Sequence, residues 1–192
     1  VSMPALTTCR SMCWFENSLN KQSFPKKTSG CLIRSCSWTG PEHLQGDTDG
    51  QGMSYTVSKI FIDTNILCYA MDSNDPSKRD RARLVLKDIL DNHQPVISTQ
   101  ILNEFYVVAT KKLQADPLVV KNILHNFGNM EIVQIDLPLT EEAIDISIIS
   151  QLSFWDSLVI AEAEKARCAY VYTEDLNAGQ NYRGVEVVNP LG

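Results

Sequence analysis

The sequence is poor in three things that would each have pointed elsewhere. It has no apolar run long enough to cross a bilayer, and its first residues lack the continuous apolar core of a secretory signal, so a cytoplasmic protein with reduced cysteines is expected. Positive charge is also short: 17 Lys and Arg face 23 Asp and Glu, a net charge of −6. A chain this acidic does not hold polyanions on a broad basic surface, so any handling of nucleic acid needs bound cations and a local basic patch. Histidine is scarce, with only three in the chain. His43, His93 and His125 all fall away from strand ends, which argues against a zinc hydrolase.

What is present divides unevenly. Residues 1–52 carry four of the six cysteines, many Ser, Thr, Gly and Pro, and no lasting periodicity. Their charge is five basic against four acidic residues, leaving 12 against 19 and a net charge near −7 for residues 53–192. Cys9 with Cys13 and Cys31 with Cys36 form two close pairs that could hold zinc tetrahedrally. The gaps are looser than the two-residue spacing common in such sites, and the surrounding composition is that of a disordered tail. Met53 stands just ahead of the first apolar strand as a natural start. Residues 1–52 are therefore read as a disordered extension or a mis-assigned start, and residues 53–192 as one globular domain.

From residue 60 short apolar runs alternate with amphipathic stretches. Strands are expected at 60–63, 95–98, 131–135, 169–173 and 185–188, and helices at 78–91, 99–113, 117–127, 140–151 and 155–167. Such alternation means an α/β fold with a parallel sheet covered by helices on both faces, and a site at the carboxyl ends of the strands.

Four acids are candidates for that site, and each has a simpler structural explanation. Asp63 ends the first strand in "KIFIDTNILCYA" and could merely cap the following helix. Glu104, in "STQILNEFYVVATKKL", falls about 60° from Ile101 and about 40° from Val108 on a helical projection, at the border of the apolar arc. Asp156, in "SFWDSLVIAEAEKARC", lies inside the arc marked by Trp155, Val159, Ile160, Ala163 and Ala166, yet has capping-box spacing to Ser153. Asp175 follows the fourth strand, where acids also serve turns. Their coincidence is the argument: a doubly wound sheet can bring all four to one cleft. Two carboxylates about 4 Å apart repel by roughly 4 kcal/mol at an effective dielectric near 20, so four together need protons or metal ions. Oxygen-only ligands favour hard cations such as Mg²⁺ or Mn²⁺, and the chemistry these serve is attack of water on a phosphodiester.

The segments "FIDTNILCYA", "STQILNEFYVVATKKL", "LSFWDSLVIAEAEKARC" and "YTEDLNAGQNYRGVEVVNP", in this order, resemble the PIN-domain ribonucleases, in particular the VapC-type toxins of bacterial toxin–antitoxin pairs. The likeness spans about residues 59–190. It implies a three-layer α/β/α sandwich with strand order 3-2-1-4-5, and a metal-binding catalytic quartet of Asp63, Glu104, Asp156 and Asp175 holding Mg²⁺ or Mn²⁺, supported by Asn65 and Thr173. It further implies endonucleolytic cleavage of RNA, a homodimer and a cognate antitoxin. In that strand order the strand before Asp136 lies two places from the first, about 10 Å away, so Asp136 is expected to be a loop acid and no ligand.

Basic residues gather in "PSKRDRARLVLKD" and "TKKL", either as solvated faces or as a guide for RNA phosphates. Trp155 is expected in the core rather than stacked on a base. Three other functions compete. A haloacid-dehalogenase-type phosphatase needs an acid two residues after its first aspartate, where this chain has Asn65. A non-catalytic binding module would have no use for four acids. A processing nuclease outside any toxin system differs from a toxin in lacking an adjacent antitoxin frame.

Overall fold

The computed structural model describes residues 57–192, so the cysteine pairs and the proposed boundary at residue 53 lie outside the described residues. Chain order is β1 (Lys59–Ile62), α1 (Thr64–Tyr69), α2 (Pro76–Asn92), β2 (Gln94–Ser98), α3 (Thr99–Lys111), α4 (Pro117–Phe127), β3 (Glu131–Val133), α5 (Leu137–Ser150), α6 (Phe154–Lys165), β4 (Tyr170–Tyr172), β5 (Asn181–Tyr182) and β6 (Val185–Val188). All six described helices begin where an Asp or Ser caps the first turn: Asp63 for α1, Asp75 for α2, Ser98 for α3, Asp116 for α4, Asp136 for α5 and Ser153 for α6. Pro stands in the first turn of α2, α4 and α5, where its missing N–H has no partner to lose.

The sheet order is β3-β2-β1-β4-β6-β5. All pairs are parallel except β5 with β6. The expected order 3-2-1-4-5 is therefore present, with β6 as the anticipated fifth strand and β5 as an addition. β5 escaped notice because two residues carry no periodicity. Its hairpin turns through Arg183 and Gly184, at φ 51° and 92°, the double positive φ of a tight two-residue loop.

Register places Val96, Phe61, Val171 and Val187 in one row across four strands, all fully buried. Strands so enclosed need helices on both faces. The chain winds outward from β1 to β2 and β3 through α1–α4, then crosses back to β4 through α5 and α6. Right-handed crossovers put these two helix groups on opposite faces. β1 is thus the point where winding reverses, and the ends of β1 and β4 open a crevice between them.

Trp155 corrects the sequence reading. It is 61% exposed, on the first turn of α6, with its ring edge-on to Phe154 at 5.3 Å. The first turn of α6 projects past the end of the core, with full burial beginning only at Ser157.

Candidate active site

Asp63 follows β1 directly, its N–H bonded to the Tyr172 carbonyl of β4 (3.1 Å), which fixes it at the crevice. Its Oδ1 accepts from the Thr64 N–H (2.6 Å), so it does cap α1, as the simpler reading held. Its Oδ2 faces the crevice and accepts from the Thr173 hydroxyl (2.6 Å) and the Asn65 amide (2.9 Å). The same Asn65 amide nitrogen reaches Thr173 Oγ1 (3.0 Å) and Asp175 Oδ2 (3.1 Å). Thr173 Oγ1 also accepts from the Asp175 N–H (3.1 Å). Asp63 and Asp175 are therefore drawn together by one amide and one hydroxyl.

Glu104 approaches from α3. Its Oε2 accepts from the Thr64 hydroxyl (2.8 Å) and its Oε1 from the Gln100 amide (2.8 Å). It is half-buried, in keeping with its place at the border of the apolar arc. Burial pushes the Asp63 carboxyl up to about 6; the Thr173 and Thr64 bonds hold it down, while Asp175 and Glu104 push it further up. At only 9% exposure it has little water to relieve that charge.

Asp156 stands differently. Its carboxylate accepts from the Ser153 hydroxyl (2.7 Å) and its N–H donates to the same oxygen (3.2 Å), the reciprocal cap of α6. It makes no hydrogen bond with Asp63, Glu104 or Asp175, and among the described residues no three acids, histidines or cysteines stand close enough to share one ion as the side chains are placed. Ser153→Ala is expected to lower stability by about 1 kcal/mol, read by urea denaturation; an unchanged midpoint would show that the cap contributes nothing.

Asp136 is accounted for by structure alone. It caps α5 through the Leu139 N–H (3.0 Å) and pairs with Lys165 (3.0 Å). The Lys165 ammonium and the Leu139 N–H draw its carboxyl below the usual range.

One acid was missed. Glu162 on α6 is 0% exposed and lies beside Ser98, within the field of Glu104 and Asp63. The signal was available, since a helical projection sets it between Leu158 and Ala166, both of which are buried.

The donor set suits a hard cation. It is built of oxygens, and among the described residues four buried acceptor oxygens in or beside it have no hydrogen-bond partner: Asn65 Oδ1, Gln100 Oε1 and both carboxylate oxygens of Glu162. Acceptors gathered around like charges, and short of donors, are what a hydrated divalent cation satisfies.

The basic residues of α2 are engaged within the molecule. Lys78 pairs with Glu174 (2.7 Å) and lies over the Tyr69 ring, bracing the loop that carries Asp175. Arg79 pairs with Asp80 and Lys87 with Asp91, while Arg81 and Arg83 donate to the Leu191 and Ala70 carbonyls.

Comparison with known proteins agrees with this architecture. No curated protein sequence matches the chain. Among solved structures, VapC20 of Mycobacterium tuberculosis, a sarcin-ricin loop-cleaving toxin, is similar with a TM-score of 0.52 at 17% identity, over 60% of this chain and 89% of that one. A toxin–antitoxin complex from Klebsiella pneumoniae gives 0.53 at 23% identity, over 68% and 97%. Both likenesses are of fold. The PIN domain family model matches residues 60–183, a span that includes Asp63, Glu104, Asp156 and Asp175, and the chain belongs to the PIN domain family.

Proposed function

We propose that the chain is an endoribonuclease dependent on Mg²⁺ or Mn²⁺, acting in the cytoplasm as the toxin of a toxin–antitoxin pair. The observation that carries this reading is the convergence of Asp63, Glu104 and Asp175 at the reversal point of the sheet, tied by Asn65, Thr64 and Thr173, with buried acceptors left over. Asp63, Glu104, Asp156 and Asp175 would hold the ion. Asp156, now turned onto its own helix cap, is the member that must rotate to join. A bound divalent cation supplies a water of lowered pKa and neutralises charge on the phosphodiester. The protein's part is orientation: Asn65 and Thr173 aim Asp63 Oδ2 into the crevice, and the Lys78–Glu174 pair steadies the Asp175 loop.

The toxin role draws on what the two similar structures are called, and on the sequence resemblance. A cognate antitoxin and a homodimer belong to the same reading. Self-association is supported by an exposed apolar stripe on α5, formed by Leu137, Ile144 and Ile148 with Ile149 beside it.

The decisive assay is cleavage of a mixed pool of structured RNAs by the full chain, with Mg²⁺ or Mn²⁺ and with a chelator. Discrete fragments that vanish on chelation support the proposal; an intact pool in every metal overturns it. Removing residues 1–52 is expected to leave cleavage unchanged, and a loss would revive the zinc reading of that segment. Because Trp155 is exposed beside Asp156, its ring is available to stack on a base. Trp155→Ala is expected to weaken RNA binding about tenfold, in line with roughly 1–3 kcal/mol per stacked base, without altering thermal unfolding. Filter binding at fixed salt reads the first effect and calorimetry the second.

A further inference from the structure

Glu162 is not among the four acids of the proposed quartet, and this inference about it rests on the cation-dependent reading above. It lies two turns into α6, wholly enclosed, and neither carboxylate oxygen completes a well-formed hydrogen bond, although the Ser98 hydroxyl lies near enough to favour the charged form. The groups that act on it are the Ser98 hydroxyl at the end of β2, Glu104 on α3, Asp63 after β1 and, more weakly, Lys165. Lys165 is itself bonded to Asp136 and half-exposed, so it does not serve as a counter-ion in the interior.

Direction matters here. Side chains on a helix lean toward its N-terminus. For α6 that end lies toward the carboxyl ends of the strands, so the lean directs the Glu162 side chain toward the edge of the sheet that carries Asp63, and both Asp63 and Glu104 act on its carboxyl. Were its role merely to fill space, a leucine or methionine would do so without two stranded oxygens. Burial, with Glu104 and Asp63 adding to it against Ser98 and Lys165, pushes the carboxyl up to about 8, which lets the fold tolerate it as a neutral acid when no cation is bound. What the surroundings lack is a positive charge.

We propose that Glu162 is a fifth acid of the cation site, enclosed beside Ser98 and adding its charge to that of Asp63 and Glu104 when a divalent cation enters.

The test is calorimetric titration of the full chain with Mn²⁺, comparing wild type with Asp63→Asn, Glu162→Gln and Glu162→Met. The wild type is expected to bind Mn²⁺ and Asp63→Asn to lose binding. Both Glu162 variants should bind 10–100-fold more weakly, the range for groups that support metal ligands, while their metal-free melting temperatures stay close to wild type. The Met variant, apolar and of similar volume, carries the test if the Gln variant does not fold. Wild-type affinity in a folded Glu162 variant, with binding lost in Asp63→Asn, overturns the role of Glu162 and leaves the cation site standing. A wild type that binds no Mn²⁺ overturns both.

Discussion

Asp63→Asn is expected to abolish metal-dependent RNA cleavage while leaving the metal-free protein at least as stable at pH 7.5. The two halves have one cause. The carboxylate that would hold the cation is 9% exposed and has Asp175 and Glu104 for neighbours. Its carboxyl, about 6 in the fold against the ordinary 3.8, makes ionisation unfavourable by about 3 kcal/mol. The folded protein binds the proton more tightly than the unfolded chain, so the penalty is fully present above about 6 and disappears as pH falls toward 4. The variant's advantage should therefore be seen at pH 7.5 and shrink or reverse at pH 5, where the wild-type acid is neutral and keeps its bonds to Thr173 and Thr64. Urea denaturation at the two pH values, in chelator, measures this. A variant several kcal/mol less stable at pH 7.5 would make Asp63 chiefly a structural cap.

Asn65→Asp should produce the second large effect, and in the opposite direction. The Asn65 amide nitrogen lies 2.9, 3.0 and 3.1 Å from Asp63 Oδ2, Thr173 Oγ1 and Asp175 Oδ2. A carboxylate in its place removes both N–H donors and sets a third charge against two others. Repulsion at about 4 Å and an effective dielectric near 20 is roughly 4 kcal/mol per pair, and is felt mainly toward buried Asp63, since Asp175 is exposed to screening water. The metal-free variant is expected to lose a few kcal/mol at neutral pH and to recover much of it at pH 5 or on adding Mn²⁺. Asn65→Ala separates the two contributions, because it removes the amide without adding charge. Equal destabilisation by Ala and Asp would show that repulsion plays no part.

How far the sequence spoke for itself differed from residue to residue. Asp63 and Asp175 were legible as candidates because strand ends in a doubly wound sheet are where sites form, and Asp136 could be set aside by the strand order that the resemblance implied. Glu104 was legible from its angle to Ile101 and Val108. Asp156 and Trp155 show the limit: a helical projection assumes that the core runs the length of the helix, but α6 begins beyond it, leaving Trp155 in solvent and Asp156 on its cap. Glu162 was hard to read from residue type, because a glutamate is ordinarily exposed, although its angular position lay among buried neighbours. Asn65, read at first through the resemblance, gains its physical role only from tertiary geometry, since no spacing reveals that one amide meets three partners.

The sheet's margins bear on how other molecules approach. β3 has three residues and β5 only two, so neither border offers a long ladder of unpaired N–H and C=O groups. Strand addition, a common way for an extended peptide to attach itself, finds little to build on at either border. Any polypeptide that binds tightly must instead engage helix faces or reach into the crevice with side chains. Mutations that disrupt such a complex should then map to α5 and to the rim of the crevice rather than to β3 or β5.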